Sequence, residues 1–170
     1  MRMAEKFKTT DASSYDSVTA EFDRFTDRYT AGFAAQLVWL AELSIGERVL
    51  DIGTGTGIVA IEAARKVDRA GRIIGLDLSD GMLAAAEAKA VRAGLGDRLE
   101  FRKTDAEALD FKDGSFDSTL SLFALLHFPN PSAALKEMFR ILRPGGKLVS
   151  RWAAVLRCFQ FRDLLIESNG

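Results

Sequence analysis

Polar and apolar positions change their rhythm near Gly46. From Tyr15 to Leu43 the apolar positions recur three and four apart: Phe22, Phe25 and Tyr29, then Phe33, Leu37, Val38, Leu40 and Ala41 behind Gly32. That spacing predicts two helices. Residues 1–14 lack it and read as a loose leader. After Gly46, short β-branched or aliphatic runs alternate with Ala-rich amphipathic stretches. The runs predict strands at Arg48–Ile52, Arg72–Leu76, Leu99–Arg102, Phe116–Leu122 and Lys147–Arg151. Helices are predicted over Ile58–Val67, Asp80–Ala93 and Ser132–Leu142, with a last one near Leu156–Glu167. Only Lys103–Asp113 is too short and polar for a good helix.

Strand and helix in regular alternation require right-handed crossovers, hence a mostly parallel sheet with helices on both faces. The expected fold class is α/β, a three-layer sandwich with a Rossmann-like sheet. One domain accounts for 170 residues, divided into an N-terminal helical segment or lid, residues 1–44, and the sheet domain, residues 45–170.

Composition narrows the functions. With 48% hydrophobic residues the chain can bury a full core. Lys and Arg total 23 against 24 Asp and Glu, too even for the basic field that nonspecific nucleic-acid or anionic-membrane binding needs. No run approaches the roughly 18 apolar residues of a membrane span, and no signal peptide is recognisable. The single cysteine, Cys158, fits a reducing compartment, so a cytoplasmic location is expected. Cys158 is predicted on the apolar face of the last helix with Phe161 and Leu165.

In open α/β sheets ligands bind outside the carboxyl ends of the strands, so the residues following each strand are read together. The first cluster is Val49-Leu50-Asp51-Ile52-Gly53-Thr54-Gly55-Thr56-Gly57. Its glycines permit a tight turn and a close backbone approach to a ligand. Gly55, Gly57 and Ala60 also satisfy the dinucleotide pattern, which keeps a nicotinamide reading open. Asp51, beside the glycines, would repel a pyrophosphate and suits a cationic ligand better. Asp77, about twenty positions beyond Gly57, can accept from two ribose hydroxyls in either case. Asp105, in Lys103-Thr104-Asp105-Ala106, offers an acceptor for an exocyclic adenine amine, with Leu78 and Met82 as apolar walls. S-adenosylmethionine, bearing a sulfonium and an ammonium but no phosphate, satisfies these features together. Gly57 then opens a helix near its carboxylate.

The ordered combination of Val49–Gly57, Asp77, Thr104-Asp105-Ala106, Gly114-Ser115-Phe116-Asp117 and Leu142-Arg143-Pro144-Gly145-Gly146-Lys147-Leu148 resembles the class I S-adenosylmethionine-dependent methyltransferases. The likeness is greatest to the branch of ubiquinone and menaquinone biosynthesis C-methyltransferases and covers about residues 15–152. The resemblance implies that Gly53, Gly55 and Gly57 hold the methionine part, Asp77 the ribose, and Asp105 with the Ala106 backbone the adenine. Thr54 and Leu122 complete the candidate cofactor set. The resemblance also implies a helix and a strand pair after the fifth strand. That final strand pair is expected to be lacking, either because the chain is truncated or because a partner chain covers the edge left beside the fifth strand, with a homodimer considered.

His127, the only histidine, follows the fourth strand and is the candidate catalytic base, against the alternative of a polar pocket wall. Tyr15, Phe22, Phe25 and Tyr29 suit either a lid or ordinary packing. Arg140, Arg143, Lys147 and Arg151 read as a solvated face. The expected activity is methyl transfer from S-adenosylmethionine to a small-molecule acceptor by in-line displacement, without a metal. Rivals are a nucleic-acid methyltransferase, which the stretch Ser121–His127 does not favour because it lacks an Asn/Asp-Pro-Pro-aromatic run, a non-catalytic S-adenosylmethionine-binding protein or partner subunit, and a nicotinamide dehydrogenase.

Overall fold

A computed structural model of the protein describes residues 2–152 and 155–160. Two helices come first, α1 at Arg2–Tyr29 and α2 at Ala31–Leu40. Strands and helices then alternate: β1 (Arg48–Ile52), α3 (Ile58–Val67), β2 (Arg72–Asp77), α4 (Asp80–Arg92), β3 (Leu99–Lys103), β4 (Phe116–Leu122), α5 (Pro131–Arg140), β5 (Leu142–Trp152) and β6 (Val155–Gln160). The sheet order is β3-β2-β1-β4-β5-β6. β1 to β5 run parallel and β6 antiparallel to β5. The expected three-layer α/β sandwich is therefore present.

The two-residue period of the strands sorts the core into two halves. Val49, Ile73, Leu120 and Val149 face α2, α3 and the end of α4. Leu50, Ile74 and Leu148 face the other way, onto Ala134, Met138 and Ile141 at α5. Side-chain caps start two of the helices: Ser79 Oγ accepts from Met82 N–H, and Asn130 Oδ1 from Ala133 N–H ahead of Pro131 at the first helical turn.

Between β3 and β4 there is no helix, as the polar stretch predicts, and α5 does the work of holding it. Arg140 donates to the carbonyls of Phe111 and Leu109, and Glu137 accepts from Leu109 N–H at 2.9 Å. Backbone groups that a helix would have paired internally are thus paired by side chains, and Leu109 and Phe111 are laid on the sheet.

Three expectations are corrected. The loose leader is helix: residues 2–14 belong to α1, where Lys8 pairs with Asp105 and Glu107. The predicted helix near Leu156–Glu167 begins instead as β6, because the outer edge of β5 offers a row of unpaired backbone groups. β6 pairs along it from Trp152↔Val155 to Lys147↔Gln160, placing Cys158 opposite Val149. Phe161 and Leu165 lie outside the described residues. The open edge expected beside the fifth strand is accordingly occupied by this chain's own antiparallel strand. The basic positions are only in part a solvated face: Arg143 is exposed while pairing with Asp117, whereas Arg140 staples the β3–β4 connection, Lys147 donates to the Glu42 carbonyl, and Arg151 lies over the Phe33 ring.

Candidate active site

A cleft opens at the carboxyl ends of β1, β2 and β4, where the strand order reverses between β1 and β4. It is partly open to solvent. Its inner wall is made by the loops after the strands. Its outer wall is α1, which contributes Lys8, Asp11, Ala12, Tyr15 and Phe22.

The inner wall depends on glycine at two positions. Gly53 has φ +67°, and a Cβ there would stand 2.1 Å from that of Ala124. No side chain fits, because the single 3-10 turn Ala124–His127 is pressed against the loop. Gly55 has φ +53° and nothing within 4 Å of a would-be Cβ, so its bare backbone faces the open cleft. Its N–H donates to Asp77 Oδ2 at 2.9 Å and ties the loop to the end of β2. Phe123, at φ 64°, bends the chain from β4 into the 3-10 turn and packs edge-on against Phe33.

Asp77 accepts on Oδ1 from the N–H groups of Leu78, 2.8 Å, and Ser79, 3.0 Å, besides the bond from Gly55 to Oδ2. A carboxylate has about four acceptor positions, so one remains, on Oδ2. Burial pushes the Asp77 carboxyl up, the three N–H donors oppose it, and the Asp11 charge adds to it.

Of the residues predicted from sequence, Gly53, Thr54, Gly55, Asp77, Leu78, Met82, Asp105, Ala106, Leu122 and His127 all line the cleft. Two do not. Asp51 is buried beneath the loop, where it accepts from the Thr54 hydroxyl at 2.7 Å. Burial raises its carboxyl to about 7, against the pull of that hydrogen bond and with a further push from Asp77. It supports the loop from below and does not line the cleft. Gly57 is likewise internal. A Cβ there would come within 3.0 Å of Ala86 and 3.3 Å of the Phe101 ring, and its N–H donates to the Thr54 carbonyl. The glycine serves helix packing.

Asp105 reaches the cleft but already has partners. Lys8 Nζ lies 2.6 Å from Asp105 Oδ2 and 2.7 Å from Glu107 Oε2. Asp105 Oδ1 accepts from Glu107 N–H. His127 lies at the rim, near Tyr15 and Asp11. The sequence reading missed Lys8 and Asp11, and the signal for them is slight. Lys8, Asp11, Ala12 and Tyr15 recur three and four apart, but the face they share is polar, and a search for apolar periodicity passes over it.

A fold and a site of this kind define a nucleoside-binding α/β enzyme of the Rossmann-like class. Residues 50–150 match the family model described as "Methyltransferase domain". The chain is 33% identical over 144 residues to the ubiquinone/menaquinone biosynthesis C-methyltransferase UbiE of Pseudomonas putida, covering 81% of this chain and 56% of that protein. It is 32% identical over 151 residues to the demethylmenaquinone methyltransferase of Lactiplantibacillus plantarum, covering 86% of this chain and 64% of that one. Among solved structures it superposes on the [4+2]-cyclase SpnF with a TM-score of 0.76 and 27% identity, over 87% of this chain and 63% of that one. The chain belongs to the class I S-adenosylmethionine-dependent methyltransferase family, whose cofactor is S-adenosylmethionine. It spans a little over half the length of the UbiE relative.

The cleft fits that cofactor. Among the described residues, Asp11, Asp77 and Asp105 line it against one ammonium, Lys8, which suits a ligand carrying a sulfonium and an ammonium and disfavours a pyrophosphate. Bare backbone at Gly55, the remaining acceptor position on Asp77 Oδ2, and the apolar sides of Leu78, Met82 and Leu122 face the same space.

Proposed function

We propose that this chain binds S-adenosylmethionine in the cleft and transfers its methyl group to a small molecule. The observation that carries the reading is the carboxylate-rich wall built around Asp77, whose oxygens are oriented by three backbone donors with one position left for a ribose hydroxyl. Gly53, Thr54 and Gly55 would flank the methionine part. Asp105 and Ala106, with Leu78 and Met82, would flank the adenine, and Leu122 the region of the methyl group.

When bound, the cofactor supplies an electrophilic methyl carbon on a positively charged sulfur. The protein's share is to orient the acceptor along the line of displacement and to exclude water. α1 would close the outside of the cleft as a lid formed by the N-terminal segment, residues 1–44. The two quinone-biosynthesis relatives support an acceptor of quinone-like size and chemistry. The reading places the protein in the cytoplasm. Among the described residues no helix is long and apolar enough to cross a membrane.

Calorimetry with S-adenosylmethionine, S-adenosylhomocysteine and NADH tests this. Micromolar binding of the first two and none of NADH is the expected result. NADH binding alone would reverse the reading. A second reading, cofactor binding without methyl transfer, draws support from the likeness to SpnF, a [4+2]-cyclase. It predicts the same calorimetry and no methylated product with any acceptor in a screen.

A further inference from the structure

α1 brings two side chains to the only histidine in the chain. Asp11 Oδ2 stands 3.7 Å from His127 Nδ1. The Tyr15 hydroxyl stands 3.3 Å from Nε2 and 3.4 Å from Nδ1, and the two rings meet edge to face with centroids 5.6 Å apart. Asp11 and Tyr15 are four residues apart, on one face of α1. The same helix is anchored on both sides of this contact, by Lys8 to Asp105 and Glu107, and by Asp16, which accepts from Ser79 Oγ and Gly81 N–H. His127 is half-exposed and ends the 3-10 turn, so its ring stands between α1 and the cleft.

We propose that Asp11 and Tyr15 are positioning residues that set the tautomer and orientation of His127, and that His127 Nε2 takes a proton from the methyl acceptor. The proposal rests on the methyltransferase reading. It assigns the acceptor to compounds that must lose a proton to react, such as hydroxylated rings and enols.

Which ring nitrogen of a histidine carries the proton is set by what the other faces. The Asp11 carboxylate, 3.7 Å from Nδ1 and so acting through its charge and not through a direct hydrogen bond, favours Nδ1–H and leaves the Nε2 lone pair as the acceptor. The Tyr15 phenol is kept protonated, since burial first and then the charges of Asp11 and Asp77 push it up. It can therefore donate to Nε2 and hold the ring in place until an acceptor hydroxyl replaces it. In the reaction, the acceptor's O–H proton passes to Nε2 and the electron pair stays on the acceptor. That anion forms the new bond to the methyl carbon as the carbon–sulfur bond breaks, its pair remaining on sulfur. The positive charge lost from sulfur reappears on the imidazolium, facing Asp11.

A single histidine makes the test direct. Long-range proton–nitrogen NMR on the protein with S-adenosylhomocysteine, recorded above neutral pH, reads the tautomer of one ring. The expected wild-type form is Nδ1–H. Asp11→Ala, at a partly exposed helix position, should shift the tautomer ratio toward Nε2–H by about threefold or more, the scale of one partly exposed charge contact. Tyr15→Phe should keep Nδ1–H and move the Nε2 shift toward that of an unbonded nitrogen. An Nε2–H wild type, or a spectrum unmoved in both variants, overturns the proposal. Calorimetry on the same samples separates the two levels: binding of S-adenosylhomocysteine with an unmoved imidazole defeats the proposal alone, and failure to bind it defeats the methyltransferase reading.

Discussion

The inner wall of the cleft and α1, its outer wall, enclose the same space but are held there by different forces. Glycines that admit no Cβ, buried backbone hydrogen bonds and the two halves of the core fix the inner wall. Lys8, Asp16 and Asp23, on the polar face of α1, hold the outer wall through ion pairs and hydrogen bonds to Asp105, Ser79 and Lys89. Close packing is intolerant of change, whereas partly exposed charge pairs contribute little each and weaken with salt. The difference predicts that substitutions in the inner wall cost folding and binding, and that those in the outer wall change binding alone.

The largest effect is expected at Gly53. Gly53→Ala places a methyl group 2.1 Å from Ala124 Cβ at φ +67°, and overpacking and backbone strain together should cost roughly 4 kcal/mol in urea unfolding. Adding Ala124→Gly should recover the steric share and leave the strain. If Gly53→Ala were as stable as wild type, the inner wall would be no more rigid than α1.

The next effect depends on pH. The Asp51 carboxyl is raised to about 7 in the folded protein from an ordinary 3.8. The native state therefore retains a proton that the unfolded chain releases. This contribution to stability is fully present below about pH 4 and is lost as pH rises through about 7. Asp77, also raised by burial, contributes in the same direction. Asp51→Asn should flatten this decline and make the protein more stable than wild type at pH 8, by on the order of 3 kcal/mol in urea titrations. An equally steep decline in the variant would place the proton elsewhere.

Binding should respond less than stability but still clearly to Asp77→Ala. Removing the acceptor should lower S-adenosylhomocysteine affinity about 100-fold in calorimetry, near 2.7 kcal/mol. The smallest effect belongs to the outer wall. Lys8→Ala frees Asp105 and Glu107 and should raise S-adenosylhomocysteine affinity by no more than about fivefold, with faster proteolytic cleavage within α1 and an unchanged unfolding midpoint. A large loss of stability would show α1 to be part of the core and would erase the contrast between the walls.

Both walls also differ in how far they can be read from residues. β1, β4 and α3 fall at their predicted boundaries because β-branched runs and Ala-rich amphipathic stretches carry their periods openly. Ten of the twelve predicted site residues line the cleft for the related reason that a parallel sheet brings its strand ends to one rim. Asp51 and Gly57, expected among the cofactor residues, lie beneath the loop and outside the cleft lining. Nothing local distinguishes a loop residue that faces a ligand from one that faces the core. α1 was half missed, because Lys8, Asp11 and Asp16 act through partners at Asp105, His127 and Ser79, far away in the chain. The stretch from Leu156 reads as helix in the sequence because its apolar residues suit either period until the edge of β5 selects one.

The order of strands and helices, the parallel sheet and the carboxylates at its rim were determined by the sequence itself, since hydrophobic period and turn chemistry are local properties. Which carboxylate is buried, which is already paired with an ammonium, and what stands beside His127 were decided by tertiary structure alone. Burial, charge pairing and hydrogen-bond geometry depend on distances between residues that only the folded chain brings together.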